Sequence, residues 1–273
     1  MCLRIKFGQS LLAIGSEKKR SLTVFVAASS RCFPDLPVKD SLSKLADLEY
    51  SAAELIVGKN AESNLILPES QDQFDDIVLF CRMSRRITPI AIYFDFEPEY
   101  PSFVRNFELC CYMAKIAKIV QITVKSSETG TPFNAEVERL RHLAQIGNTH
   151  GLVIGVATET GRMSEDPDSL KSLCKSVRDL SVTLDPSHYI FGQSKPRDYD
   201  HLFEYISHVR LRDTTKSKLQ VQIGQGIQEY NKLVIQLNKV NYRRALCVDL
   251  TPLPGLDQDA EMRKMRLLLE SLL

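Results

Sequence analysis

The sequence predicts an α/β fold: a single (β/α)8 TIM barrel with a closed, parallel, eight-stranded sheet. Three observations support this prediction. The chain has 273 residues, and a barrel of this kind needs about 250. It contains eight short apolar runs that are typical of buried strands. Each interval between runs can hold an amphipathic crossover helix, which is the pattern of a parallel sheet.

The eight runs follow one another at similar spacing. They begin at residues 22, 52, 88, 119, 152, 182, 206 and 245, so neighbouring starts are 24 to 39 residues apart. Residues 1–273 are therefore expected to form one domain, with residues 1–21 as an N-terminal lead-in segment. The alternative fold is an open doubly wound sheet. It would need a glycine-rich turn after the first strand, and residues 27–31 (AASSR) contain no glycine.

The helices are predicted from apolar residues at helical spacing. Pro37 is expected to open the first helix, because proline is tolerated at a helix start. Apolar stripes at a spacing of three or four residues then mark the core-facing sides of the helices. They are Leu42, Leu45 and Leu48; Val137, Leu140 and Leu143; Leu233, Leu237 and Val240; and Met262, Met265, Leu268 and Leu269.

The composition is that of an ordinary globular protein. The chain is 44% hydrophobic and 25% charged, and 35 basic residues against 34 acidic ones leave a net charge of +1. Such a balance creates no field that would gather nucleic acid or an anionic membrane surface. No apolar stretch reaches the roughly 18 residues of a membrane span. We therefore expect a cytoplasmic protein with neither a nucleic-acid nor a membrane partner. The seven cysteines include no C-x-x-C pair and are interpreted as reduced thiols.

Catalytic and binding groups of such barrels lie at the carboxyl ends of the strands. The polar residues near the predicted strand ends are Glu54, Asp95, Lys125, Glu159, Asp185, His188, His208, Arg210, Asp213 and Asp249. A ring that contains several carboxylates would repel itself unless a cation or a proton neutralised it. The sequence therefore predicts either a divalent metal or an arginine at the centre of this ring.

Residues 182–188 (VTLDPSH) give the clearest single strand end. Val182 and Leu184 alternate with polar residues, and Pro186 then prevents further ladder pairing. Asp185 should therefore stand at the carboxyl end of the sixth strand, with His188 turning back over it. The alternative is a simple turn in which Asp185 caps the following segment.

Six short motifs, taken in order, resemble the xylose-isomerase-like TIM-barrel superfamily. They are A-A-E-L at 52–55, T-E-T at 158–160, L-D-P-S-H at 184–188, H-V-R-L-R-D at 208–213, I-G-Q-G at 223–226 and the strand that ends in Asp249. This superfamily contains sugar isomerases, ketose 3-epimerases and the related AP-endonuclease barrels. The resemblance implies a small sugar or sugar phosphate as partner and, at the level of the family, a homodimer.

The resemblance also implies a site for one Mn2+ or Mg2+ ion, and this sequence alters it. The corresponding positions are Glu159, Asp185, Arg210 and Asp249, with arginine where the family has histidine and aspartate where it has glutamate. Arginine has no lone pair and is always charged, so it cannot ligate a metal. We expect Arg210 to take the place of the metal and to pair with one of the three carboxylates. The alternative is a retained metal bound by Glu159, Asp185, His208 and Asp249, with His208 about 7 Å deeper along the strand.

Two functions follow from these expectations. In a sugar isomerase or epimerase, Glu159 and Asp249 would exchange a proton next to the sugar carbonyl through an enediolate. The residues expected to hold the substrate are Glu54, Lys125, His188 and Arg210. In a non-catalytic relative, the same pocket would bind a sugar or a small anion without metal, and Glu54 could be a buried carboxylate that neighbouring donors satisfy. A nuclease is disfavoured, because the AP-endonuclease relatives use further histidines that the second and fourth strands here lack.

Overall fold

The computed structural model describes residues 23–58, 76, 79–80, 82–83, 86–99 and 101–273. Its eight strands close into one barrel in sequence order, and all neighbouring pairs are parallel. The strands are β1 Phe25–Ser29, β2 Ala52–Gly58, β3 Thr88–Asp95, β4 Gln121–Val124, β5 Val153–Ala157, β6 Leu180–Leu184, β7 Ile206–Leu211 and β8 Ala245–Val248. The predicted (β/α)8 TIM barrel is confirmed. The predicted lead-in, residues 1–21, lies outside the described residues.

Helices of the described residues cover the outside of the barrel. They are α1 Val38–Asp47, α2 Phe103–Ala117, α3 Phe133–Thr149, α4 Pro167–Ser176, α5 Tyr230–Lys239 and α6 Gln258–Glu270. Between β6 and β7 the chain forms two 3-10 helices, Pro186–Tyr189 and Asp200–Tyr205. In the part of the chain that the structure describes, no helix combines the length and the apolar character needed to cross a bilayer.

The predicted apolar stripes lie in the core between the barrel and its helices. Leu42, Leu45 and Leu48 of the first stripe are all at most 1% exposed, and Pro37 is the N-cap residue directly before α1. Val240 is the exception. It is 40% exposed, because α5 ends at Lys239 and the stripe ends with it. The five cysteines among the described residues are free and buried, in agreement with the prediction of reduced thiols.

The inside of the barrel changes from small to polar side chains along its axis. Ala27, Ala52, Ala245 and Cys247 form a small buried cluster on β1, β2 and β8. Further along, Arg210 of β7 and Arg212 directly after β7 meet carboxylates from β2 and from the residues that follow β6 and β8. The closed barrel therefore concentrates buried charge at the carboxyl ends of its strands.

Candidate functional site

A pocket of about 320 Å3 lies at the carboxyl ends of the strands. Among the described residues, those that line it come from the ends of five strands and from the loops after β7 and β8. They are Arg31, Tyr93, Ala157, Thr158, Glu159, Thr183, Asp185, His188, Arg210, Arg212, Leu219, Gln220 and Thr251. Three arginines and two carboxylates share this small volume, so electrostatic interactions dominate the site.

Arg210 is held on three sides at the base of the pocket. Its Nε lies 3.0 Å from Oε2 of Glu54, and its Nη2 lies 2.9 Å from Oδ2 of Asp249. The guanidinium carbon stands 4.2 Å from the centre of the Tyr93 ring, within the range of a cation–π interaction. Burial alone would lower the pKa of Arg210, but Asp249 and Glu54 raise it well above its usual value. Arg210 is therefore a fixed buried cation, and its pairing with Asp249 is one of the three that the sequence predicted.

Arg212 is a site residue that the sequence reasoning missed. Its Nη2 lies 3.0 Å from Oδ2 of Asp185 and also contacts Oδ2 of Asp249. This one nitrogen therefore bridges the carboxylates that follow β6 and β8. The signal was present in the H-V-R-L-R-D motif, because residues 208, 210 and 212 share one face of a strand by its period of two.

Asp249 lies beneath the pocket and does not line it. It is 0% exposed, accepts a hydrogen bond from Arg212 and forms an ion pair with Arg210 at 2.9 Å. Burial raises the pKa of Asp249, but the two guanidinium groups outweigh burial and hold it far below its usual value. Asp249 is therefore a permanently ionised partner of two arginines.

Asp185 and His188 lie together where the sequence predicted. Oδ1 of Asp185 accepts from the backbone N–H of Ser187 at 3.0 Å, so Asp185 also caps the 3-10 turn that follows. Nδ1 of His188 accepts from the backbone N–H of Thr160 at 3.1 Å, which leaves Nε2 as the protonated nitrogen, 3.8 Å from Oδ2 of Asp185. Burial lowers the pKa of His188 by more than Asp185 raises it. His188 is therefore a neutral donor at the pocket wall.

Glu159 is the accessible carboxylate of the pocket. Its side chain is 27% exposed, against 4% for Asp185. Its Oε2 lies 3.0 Å from Nε of Arg162, which also contacts Glu97. Glu159 is thus oriented by one arginine and remains open to the pocket.

Glu54 and Lys125, two of the predicted substrate-binding residues, do not line the pocket. Glu54 is 0% exposed, and its oxygens lie 3.1 Å from Nε2 of His208 and 3.0 Å from Nε of Arg210. Lys125 places its amine 2.6 Å from Asp95 and 2.8 Å from Glu97. Burial lowers the pKa of Lys125, but Asp95 raises it above its usual value. Both predicted ligand-binding side chains are thus engaged with protein groups.

The structure does not gather Glu159, Asp185, His208 and Asp249 into one set of metal ligands. Within the described residues, the group of three or more potential ligands whose donor atoms lie within 4.8 Å of one another is Glu54, His208 and Cys247. Two further residues of the pocket, Arg31 and Tyr93, carry no sequence signal beyond their places near the ends of β1 and β3. Nη2 of Arg31 lies 3.7 Å from Asp95.

Comparison with known proteins agrees with this architecture. The model of the xylose isomerase-like TIM barrel family matches residues 42–267. The chain belongs to this family. No curated protein matches the sequence significantly.

Solved structures of xylose isomerase-like barrels superpose on most of the chain. A D-tagatose 3-epimerase-like protein has a TM-score of 0.69 at 16% identity and covers 91% of this chain and 98% of its own. A xylose isomerase-like TIM barrel protein from Mycobacterium smegmatis in complex with magnesium has a TM-score of 0.72 at 12% identity, with 91% and 97% covered. The 3-keto-D-glucoside 4-epimerase from E. coli has a TM-score of 0.69 at 10% identity, with 91% and 99% covered. At such identities the likeness shows the fold alone.

Proposed function

We propose that this barrel binds a small neutral sugar at the carboxyl ends of its strands, without a metal ion and without catalysing proton transfer. One observation carries the proposal. Nη2 of Arg212 bridges the Asp185 and Asp249 carboxylates, and Nη2 of Arg210 also lies 2.9 Å from Asp249. Two guanidinium groups thus stand among the carboxylates that would surround a metal.

The mouth of the barrel is its open end at the carboxyl ends of the strands, where the pocket lies. Its residues do not fit the divalent ion expected for the family. Arg210 occupies the position of the histidine ligand, and it has no lone pair to offer. An ion shared by Asp185 and Asp249 would lie beside the cationic Nη2 of Arg212, which already contacts one oxygen of each. Repulsion between like charges is strong in a buried site. Arginine and metal therefore exclude one another here.

Proton exchange between Glu159 and Asp249 is disfavoured on similar grounds. A general base is effective when its pKa lies near the working pH. Arg210 and Arg212 hold the pKa of Asp249 far below that range, and Asp249 does not line the pocket. A second candidate, a metal-independent isomerase or epimerase, is favoured by Glu159 and the neutral His188, which both line the pocket.

The balance of charge favours a neutral ligand over a phosphorylated one. Around the pocket, five cationic side chains oppose six carboxylates. The cations are Arg31, Lys125, Arg162, Arg210 and Arg212, and the carboxylates are Glu54, Asp95, Glu97, Glu159, Asp185 and Asp249. Among these described side chains, no positive excess is left to neutralise a phosphate group. Sugar hydroxyls both donate and accept, so they suit a wall that offers Glu159 as acceptor and Nε2 of His188 as donor. A volume of about 320 Å3 is at the small end of the range for ligand pockets.

Titration calorimetry with a panel of aldoses, ketoses and their phosphates, with and without EDTA, tests this proposal. We expect a neutral sugar to bind equally well in EDTA. Loss of a hydrogen bond to a charged group costs about 1.5–3 kcal/mol, or roughly 10- to 150-fold in Kd, and this is the weakening expected in Glu159→Gln. Glu138→Gln, at a 72% exposed side chain on α3, is the matched control and should bind as the wild type does. Binding that EDTA abolishes, or turnover of a ketose, would contradict the proposal.

A further inference from the structure

A second cluster of polar side chains lies one layer deeper in the barrel than the pocket. Glu54 comes from β2, His208 from β7 and Cys247 from β8. His208 precedes Arg210 by two residues, and Cys247 precedes Asp249 by two. His208 and Cys247 therefore face the inside of the barrel, just beneath the level of Arg210 and Asp249. The three side chains are at most 2% exposed, and their donor atoms lie within 4.8 Å of one another.

Nε2 of His208 and both carboxylate oxygens of Glu54 are buried without hydrogen-bond geometry, whereas the Cys247 thiol makes a weak hydrogen bond to the carbonyl of Val248 at 3.8 Å. Nε2 of His208 and Oε1 of Glu54 are 3.1 Å apart but are not aligned as donor and acceptor, and neither makes another hydrogen bond. Buried polar atoms are ordinarily hydrogen-bonded. Nε2 of His208 and Oε1 of Glu54 are neighbours, and the Cys247 thiol lies within 4.8 Å of both. This is the arrangement expected of donor atoms that face a common ion.

We propose that Glu54, His208 and Cys247 bind a zinc ion inside the barrel. Zinc takes nitrogen, sulfur and carboxylate ligands at about 2.0–2.3 Å, in tetrahedral geometry. Donor atoms around such an ion are therefore roughly 3.3–3.8 Å apart. Donor atoms at the 4.8 Å limit of the observed cluster would have to approach one another by roughly 1.0–1.5 Å to reach this spacing.

Arg210 is compatible with an ion at this deeper position, in contrast to the mouth. Its Nε contacts Oε2 of Glu54, whereas Oε1 is the oxygen beside His208. A ligating carboxylate whose second oxygen is held by a neighbouring donor is the usual outer-shell arrangement of metal sites. The other side of the guanidinium is neutralised by Asp249, at 2.9 Å. Arg210 would thus orient Glu54 toward the ion without contacting it.

The proton balance of the site is simple. Burial raises the pKa of the Cys247 thiol well above its usual value, so the cysteine is protonated before the ion binds. Zinc binding forms the zinc–sulfur bond and releases the thiol proton to solvent. The thiolate and the Glu54 carboxylate then carry two negative charges against the two positive charges of the ion. His208 would ligate through an unprotonated Nε2, with the one proton of its neutral ring on Nδ1.

Metal content and cobalt substitution test this site in the full-length protein. Zinc per chain is measured by plasma mass spectrometry in the wild type, in Cys247→Ser and in Asp185→Asn. The wild type, unfolded in chelator and refolded with Co2+, is also scanned for thiolate-to-cobalt charge-transfer absorption in the near ultraviolet. We expect one zinc per chain in the wild type and in Asp185→Asn, a loss of at least tenfold in Cys247→Ser, and charge-transfer absorption in the refolded wild type.

Each other outcome overturns a specific claim. A refolded wild type without the charge-transfer band refutes thiolate ligation, whether or not the variants fold. Zinc that survives Cys247→Ser and disappears in Asp185→Asn would place the ion at the mouth and contradict the proposed function as well. A wild type that holds no metal and gives no band refutes the buried site alone and leaves metal-free sugar binding unaffected.

Discussion

Removing the charge of Asp249 should destabilise the barrel strongly. Asp249→Asn keeps the size of the side chain but leaves Arg210 and Arg212 with one buried carboxylate each, Glu54 and Asp185. Asp249 is 0% exposed, and the two arginines are 4% and 7% exposed, so water cannot replace the lost partner. Breaking a buried ion pair on one side costs about 3–5 kcal/mol. At about 2–4 °C per kcal/mol for a chain of this size, Tm should fall by roughly 6–20 °C.

Differential scanning calorimetry and urea unfolding of Asp249→Asn measure this loss. The matched control is Asp47→Asn, which removes a carboxylate that lies 2.6 Å from Arg86 but is 62% exposed. Exposed pairs contribute about 0–1 kcal/mol, so the control should unfold close to the wild type. If Asp249→Asn lost no more free energy of unfolding than Asp47→Asn, the arginines would not depend on Asp249, and the account of the site would be wrong.

Three further predictions concern protons and the loop over the pocket. The pKa values of Asp185 and Glu54 lie below their ordinary 3.8 and 4.5. The ionised carboxylates therefore stabilise the folded protein fully above about pH 5, and this stabilisation is lost only as the pH falls below these values. Urea unfolding midpoints that decline between pH 7 and 5 would contradict this. His188 has a pKa below its ordinary 6.5 because burial disfavours the charged ring, so imidazole carbon shifts in NMR should titrate with a midpoint below pH 6.5. A midpoint at or above 6.5 would contradict the burial argument. Gly226→Ala should destabilise the protein by about 1–3 kcal/mol in urea unfolding. A Cβ at this position would lie 1.8 Å from Oδ1 of Asp213, and Oδ2 of Asp213 accepts from the Gly226 N–H at 2.9 Å. Unchanged stability would mean that Asp213 does not fix this loop.

The sequence predicted the barrel well because its signals are local. Each apolar run is long enough for one buried strand, and the intervals leave room only for crossover segments. The end of β6 could be placed to the residue, since Pro186 cannot continue the ladder and leaves Asp185 at the strand end. Helix ends were less certain, as the exposed Val240 shows.

The candidate site could be predicted only in part, because its partners come from distant strands. Sequence spacing brought Arg210 to the carboxylate ring, but it could not decide that Glu54 of β2 and Asp249 after β8 would be the partners. That choice depends on the tilt of the strands and on the length of each side chain. Arg212 was within reach, since alternation along β7 gives it the same face as Arg210. The stacking of Tyr93 under Arg210 depends on the closed barrel and has no local signal.

We infer that arginine, and not a metal, occupies the carboxyl-terminal mouth of the barrel. Anomalous diffraction from a crystal of the full-length protein soaked in Mn2+ tests it most directly. We expect guanidinium density of Arg210 and Arg212 against Asp185 and Asp249, with no anomalous peak among these side chains. A manganese peak within about 2.5 Å of carboxylate oxygens of Asp185 and Asp249, with Arg212 displaced, would contradict it.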